Sequence, residues 1–303
     1  MYDIIGDIHG HADHLEKLLE KLGYENNFGY YKHPERKAIF VGDFIDRGPK
    51  IRETLSIVKS MTDENAAYAI MGNHEFNFLC YKTEISPGVF LRPHDKGKND
   101  KQVEKTVNEF KDFQNELDDY LNWFRKLPLF LDCGDFRVVH ACWDQDNIKM
   151  LNNTGEFTNE FLINLHEKEN KVLLNAVEES LKGKEAEIPN GYYFYDADDN
   201  IRHHTRIKWW IDPSKSNYVN YFFEDVKELR GKKVELKESE SQNFYNENEI
   251  PVFFGHYWLT GDPLLQSGNV ACLDYSVAAV NNKLSAYEWN GEKELKNENF
   301  KWV

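Results

Sequence analysis

Three polar runs each follow an apolar stretch. Gly6-Asp7-Ile8-His9-Gly10 comes after Ile4-Ile5, and Gly42-Asp43-Phe44-Ile45-Asp46-Arg47-Gly48 after Ala38-Ile39-Phe40-Val41. Gly72-Asn73-His74-Glu75 comes after Tyr68-Ala69-Ile70-Met71. Two histidines end later apolar stretches, His140 after Val138-Val139 and His256 after Val252-Phe253-Phe254-Gly255. Carboxylates, imidazoles and an amide are hard and borderline donors for divalent cations. Asp7, His9, Asp43, Asn73, His140 and His256 fit two divalent transition-metal ions that share one carboxylate. Asp7, His9 and Asp43 would hold the first, and Asp43, Asn73, His140 and His256 the second. Such ions lie about 3.5–4 Å apart and clamp the attacking and leaving oxygens of an in-line displacement. With no thiolate in the set, Mn, Fe, Zn and Co all suit it, with manganese favoured.

Three neighbouring side chains suit the chemistry of phosphate. Arg47 offers a planar, permanently charged donor fork to phosphate oxygens. His74 could protonate a leaving alkoxide, and Asp46 could orient His74 and raise its basicity. Singly, each residue has an ordinary explanation. Asp43 and Asn73 read as helix caps, Asp46 as a turn residue beside Gly48-Pro49, and Arg47 as half of a surface ion pair. The collected set outweighs those readings. The glycines around Asp7 and His9 would let the backbone approach a ligand closely.

The elements that must position these groups are strands at 2–5, 38–41 and 67–71 and helices at 11–22 and 51–61. Leu15, Leu18, Leu19 and Leu22 mark one helical face, and Leu55 and Val58 another. Strand, motif and helix in alternation predict parallel pairing through crossovers. The motifs then meet at the C-terminal edge, where open α/β sheets build their sites. Residues 84–126 read as a mostly helical insertion, with Leu117, Tyr120, Leu121 and Phe124 at helical spacing. A second insertion at 150–250 contains a helix near 156–179 and an acidic run at 235–249 that reads as solvated surface. Further strands are expected at 136–140, 252–254 and 270–273, with a closing hairpin after 284–289. With no internal repeat or low-complexity linker, 1–303 reads as one domain.

The 303 residues are 41% hydrophobic and 14% aromatic, enough for a substantial core. The net charge of −15 argues against non-specific nucleic-acid binding, which needs a basic surface. Cys80, Cys133, Cys142 and Cys272 form no Cys-x-x-Cys pair, which suggests reduced thiols. No stretch approaches the roughly 20 apolar residues of a membrane span. No basic-then-apolar leader is visible at the start. The expectation is a cytoplasmic protein without a membrane partner.

Gly-Asp-x-His-Gly, Gly-Asp-x-x-Asp-Arg-Gly-Pro, Gly-Asn-His-Glu, Val-His-Ala and Phe-Gly-His, in this order, resemble the calcineurin-like metallophosphoesterases and their phosphoprotein-phosphatase branch. The resemblance covers 2–75, 121–143 and 251–291. It implies a two-sheet αββα sandwich with the metals at the sheet edge. It also implies a hydroxide between two cations attacking phosphorus, with His74 protonating the leaving group. The stretch 33–43 is similar to bacterial symmetrical diadenosine-tetraphosphatases and to the phosphatase module of polynucleotide kinase-phosphatases. By the same resemblance, Arg206 in Thr205-Arg206-Ile207-Lys208-Trp209-Trp210 would be a second phosphate-binding arginine. The implied substrate is a phosphoprotein, a dinucleoside polyphosphate or a small phosphoester. Leu273-Asp274-Tyr275-Ser276 and His140-Ala141-Cys142 depart from the usual Leu-Asp-Thr-Gly and His-Ala-Gly, which leaves the metal set intact and the substrate open. A metal-binding scaffold without activity is the rival, and the filled donor set disfavours it.

Overall fold

The computed structural model describes residues 1–27, 29–196, 199–235, 243–279 and 283–303. Its frame is two sheets packed face to face. The first is built from β1 (Tyr2–Ile5), β2 (Lys37–Phe40) and β3 (Ala67–Ala69), which run parallel. The second holds β4 (Phe130–Asp132), β5 (Arg137–Val139), β6 (Val252–Phe254) and β7 (Val270–Cys272). In it, β5, β6 and β7 are parallel and β4 is antiparallel to β5. The chain then returns to the first sheet through β8 (Asp274–Tyr275), β9 (Lys283–Trp289) and β10 (Phe300–Trp302). The order there is β8-β9-β1-β2-β3, with β10 also on β9.

The strand sequences explain this arrangement. Successive side chains on a strand point to opposite faces, so a strand covered on both sides reads as a continuous apolar run. Ile4 and Ile39 face inward and meet Val138, Phe253, Ala271 and Tyr287 between the sheets. Ile5, Ala38 and Phe40 face outward, under α1 (Ala12–Lys21) and α2 (Ile51–Asp63). Leu15, Leu18, Leu19, Leu55 and Val58 are buried there, as their spacing predicts. The outer face of the second sheet is covered differently. Ile148 of α6 (Gln145–Leu151) shares that work with Trp143, Trp209, Trp210 and Tyr245.

The first insertion contains α4 (Lys98–Glu109) and α5 (Gln114–Phe124), after a short hairpin of Glu84–Ser86 and Val89–Phe90 that helical periodicity does not reveal. Leu117, Tyr120, Leu121 and Phe124 are buried on α5. The single helix expected near 156–179 is two helices, α7 (Asn159–Leu165) and α8 (Lys171–Lys182), with a tighter turn at Lys168–Asn170 between them. His166 ends α7, and its ring donates back to Leu162 O. Farther along, Ile188, Ile207, Tyr218, Tyr221, Phe222, Val226 and Leu229 form a small core of their own. Of the acidic run at 235–249, residues 236–242 lie outside the described residues. Cys80, Cys142 and Cys272 are buried, Cys133 is exposed, and all four are free thiols. Among the described residues no helix is long and apolar enough to cross a membrane.

Candidate metal centre

Each polar run sits just past the C-terminal end of a parallel strand: Gly6 after β1, Gly42 after β2, Gly72 after β3, His140 after β5 and His256 after β6. Parallel strands put these ends along one edge of each sheet, and face-to-face packing brings the two edges together. Gly6 makes that approach possible, since a Cβ there would lie 2.0 Å from Leu273 O, in the link between β7 of the second sheet and β8 of the first. This glycine therefore admits backbone rather than a ligand.

The six expected donors converge. Two groups of three close-lying ligand atoms occur among the described residues, His9–Asp43–His74 and Asp43–His140–His256, each within 4.8 Å. Asp43 belongs to both. Its Oδ2 is 3.6 Å from His9 Nε2, and its Oδ1 is 3.5 Å from His140 Nε2. Asn73 Oδ1 lies 3.1 Å from His140 Nε2 and 2.8 Å from His256 Nδ1. Asp7 Oδ2 accepts from the backbone N–H of His256 at 3.0 Å. All six are buried except His256, which is partly so.

The donor set fits divalent cations on several grounds. Asp7 Oδ1 and His9 Nε2 are buried polar atoms without a hydrogen-bond partner. Such atoms are costly unless something satisfies them. A Cβ on Gly255 would stand 1.9 Å from Asp7 Oδ1, so the space before that oxygen needs a glycine to stay open. His9 Nδ1 donates to Ile45 O at 3.0 Å and His140 Nδ1 to Val41 O at 2.7 Å. Each bond fixes a tautomer that turns the Nε2 lone pair inward, as in metal-ligating histidines. Burial, then the charges of Asp274 and Asp43, push Asp7 well above the usual carboxylate range. Burial also opposes charge on Asp43, but His140 and His74 outweigh it and hold that group well below. A cation among these carboxylates would relieve their repulsion.

The remaining expected residues flank the cluster. His74 Nδ1 donates to Asp46 Oδ2 at 2.6 Å. Burial disfavours charge on His74, yet Asp43 and Asp46 prevail and raise its pKa. Arg47 Nη2 is 3.3 Å from His74 Nε2. Arg206 Nη1 reaches His256 O at 3.5 Å, its guanidinium lying over Phe223 and Tyr257. Asp43 does cap a helix, but one contributed by the next motif. Its Oδ1 accepts from His74 N at 2.9 Å near the start of α3 (Asn73–Lys82).

Other residues at the site carried no assigned role in the sequence. Glu75 is fully buried and accepts from the backbone N–H groups of Gly72, Asp43, Phe44 and Ile45. It thereby ties two motif loops together, while burial and then Asp43 push its pKa up to about 7. Its place at the third position of α3, reaching back to Gly72 N, is one half of a capping box, the other half being absent because glycine has no side chain. Thr106 of α4 donates to Asp46 Oδ1 and accepts from Asp46 N, a link with no local sequence signature. His9, Asp43, Asp46, Arg47, His256 and Trp258 all have positive φ, between 46° and 69°. Non-glycine residues enter this region at a cost and stay there only where surroundings dictate it. Their concentration here marks a backbone bent to aim side chains inward.

The calcineurin-like phosphoesterase family matches residues 2–257. The chain is similar to bis(5'-nucleosyl)-tetraphosphatase PrpE, asymmetrical, of Geobacillus sp. (strain WCH70), with 49% identity over 159 residues, covering 48% of this chain and 59% of that protein. The protein of the same name from Oceanobacillus iheyensis is 33% identical over 147 residues, covering 46% and 54%. That from Halalkalibacterium halodurans is 47% identical over 74 residues, covering 24% and 30%. The chain thus spans between 30% and 59% of the length of these curated relatives. Their names say asymmetrical where the strand resemblance implied symmetrical cleavage.

Two solved structures share the fold. One is a protein serine/threonine phosphatase from Saccharomyces cerevisiae with similarity to human phosphatase PP5, at TM-score 0.53 and 15% identity, covering 100% of this chain and 78% of that one. The other is a cold-active protein tyrosine phosphatase, at TM-score 0.54 and 16% identity, covering 95% and 73%. With the family match running from β1 to beyond His256, and the motif loops gathered at one edge, this chain belongs to the calcineurin-like phosphoesterases.

Proposed function

We propose that the protein is a dinuclear-metal phosphoester hydrolase acting on dinucleoside polyphosphates. The observation that carries the hydrolase reading is Asp43, common to the His9–Asp43–His74 and Asp43–His140–His256 groups, with the Arg47 guanidinium beside them at His74 Nε2. Asp7, His9 and Asp43 would hold one cation, and Asp43, Asn73, His140 and His256 the other. Bound there, divalent cations supply Lewis-acid charge to phosphoryl oxygens and make water a competent nucleophile near neutral pH. Manganese is our first choice among Mn, Fe, Zn and Co, all of which oxygen and nitrogen donors suit.

The protein groups do the rest. Arg47 holds non-bridging phosphoryl oxygens as charge builds on them, and Arg206 serves a neighbouring phosphate. His74, gripped at Nδ1 by Asp46, presents Nε2 to the departing oxygen and gives it a proton. The four free thiols support a reducing, cytoplasmic setting. The pairing of β1 with β9 supports reading 1–303 as one unit, since it joins the two ends of the chain.

The names of the relatives support the dinucleoside substrate. The buried Asp46–His74 pair favours a second reading, phosphomonoesters on protein, whose alkoxide leaving group needs an acid most. Incubation with manganese and diadenosine tetraphosphate, against a phosphoserine peptide, separates the two. ADP as sole product means symmetrical cleavage, and ATP with AMP means asymmetrical. Turnover of the peptide alone transfers the assignment to the second reading. No turnover of any phosphoester, p-nitrophenyl phosphate included, removes both.

A further inference from the structure

Arg47 stands out for what holds it. Its guanidinium carbon lies 3.5 Å from the ring centroid of Trp258. Arg47 Nη2 meets only His74 Nε2, at 3.3 Å, and no ion pair engages Arg47 among the described residues. Most orienting partners of arginine are carboxylates. A carboxylate would occupy the donor fork and cancel its charge. An aromatic face attracts the guanidinium plane through its quadrupole and leaves the in-plane N–H groups free.

Trp258 is in turn held firmly. It has φ 52°, a conformation that bulky residues avoid. Its backbone N–H donates to Asp274 Oδ2 at 2.8 Å. Asp274 Oδ1 accepts from Ser276 N at 2.9 Å, and Asp274 O accepts from Leu259 N at 2.9 Å. Ser276 Oγ closes the set on Leu259 O at 3.1 Å. Asp274 is buried, so three hydrogen bonds staple the Trp258 turn to the 274–276 segment, and the fourth, from Ser276 N, steadies the Asp274 carboxylate. Trp258 is 45% exposed, so it is no core residue fixed by packing. Asp274 is shared with the usual Leu-Asp-Thr-Gly run, and of the departures Ser276 adds to the anchor through its Oγ.

The geometry points to Trp258 as the positioning residue of Arg47, a π-face that aims an unpaired guanidinium at a phosphate oxyanion without neutralising it. This rests on Arg47 being the phosphate-binding arginine.

The test uses the full manganese-loaded chain. Inorganic phosphate affinity is measured by calorimetry, and p-nitrophenyl phosphate turnover in parallel, for wild type, W258A, W258L, W258F, R47A and R47A/W258A. W258A and W258L should each weaken phosphate binding and lower kcat/KM about 3- to 30-fold. W258F should recover most of that loss, because it restores a π-face. In the R47A background W258A should add nothing. Unfolding midpoints should not track these changes. Wild-type phosphate affinity in W258A and W258L overturns the proposal, as does an equal loss with and without Arg47. A wild-type protein that binds phosphate yet hydrolyses no ester removes the hydrolase reading, while the phosphate cycle still judges Trp258. A wild type that binds no phosphate overturns the role of Trp258 itself.

Discussion

At the residue scale, His74 and Glu75 are adjacent but do different work. His74 Nδ1 is committed to Asp46, so only Nε2 can exchange a proton with substrate. His74→Asn should lower kcat by about 10²–10⁴, the range of general acid catalysis. The loss should be greater for phenyl phosphate than for p-nitrophenyl phosphate, because the better leaving group needs less help. Equal losses on the two esters would show that His74 is not the acid. Glu75 touches no substrate; it collects four backbone N–H groups. Glu75→Gln would face two of them with an amide donor, since each carboxylate oxygen accepts from a pair. Urea unfolding should then report a loss of about 2–3 kcal/mol, the scale of a buried group left unsatisfied. An unchanged midpoint would refute this account of Glu75.

At the element scale, α4 is the part of the first insertion that reaches the site. Thr106 holds Asp46, while Glu109 accepts from Ile51 N and Arg52 N at the start of α2. The two contacts separate function from stability. Thr106→Val should cost about tenfold in kcat, within the range for hydrogen bonds that orient a functional side chain, with KM unmoved. Glu109→Ala removes a cap from α2 and should cost about 1 kcal/mol in chemical denaturation, with kcat within about twofold of wild type. If Thr106→Val matches wild type in kcat, the insertion does not support the acid. Periodicity located α5 well, because Leu117, Tyr120, Leu121 and Phe124 form an apolar face. It gave no warning that the polar α4 carries a contact to Asp46, sixty residues earlier in the chain by the Thr106 bond.

At the scale of the whole molecule, two sheets bring buried carboxylates and imidazoles together from residues 7 to 256. Folding that places Asp7, Asp43 and Asp274 near one another works against their mutual repulsion. Divalent cations should therefore stabilise the native state. At a free manganese level of about 100 times Kd the gain should be about 2.7 kcal/mol for one site, and chelation should reverse it. Asp43→Asn should abolish the gain and the bound metal measured by emission spectroscopy, with circular dichroism confirming the fold. Retention of both metals by that variant would rule out a shared carboxylate.

Strand-motif-helix alternation was enough to determine the parallel strands of the first sheet, the helices over them and the placing of Asp7, His9, Asp43 and Asn73 along its edge, whereas the approach of His140 and His256 depends on a second sheet packing against the first. The physical reason is that a parallel crossover leaves every strand end on the same side. Arg206 could be named only through resemblance, and its approach to His256 O depends on how residues 205–223 fold over the second sheet. Three matters belonged to the tertiary structure alone. These are the Thr106 bond to Asp46, the bond from Asp274 to the Trp258 turn and the stacking of Trp258 on Arg47. Such contacts join residues far apart in the chain through single side chains, and a lone threonine, aspartate or tryptophan has no period or spacing that announces its partner.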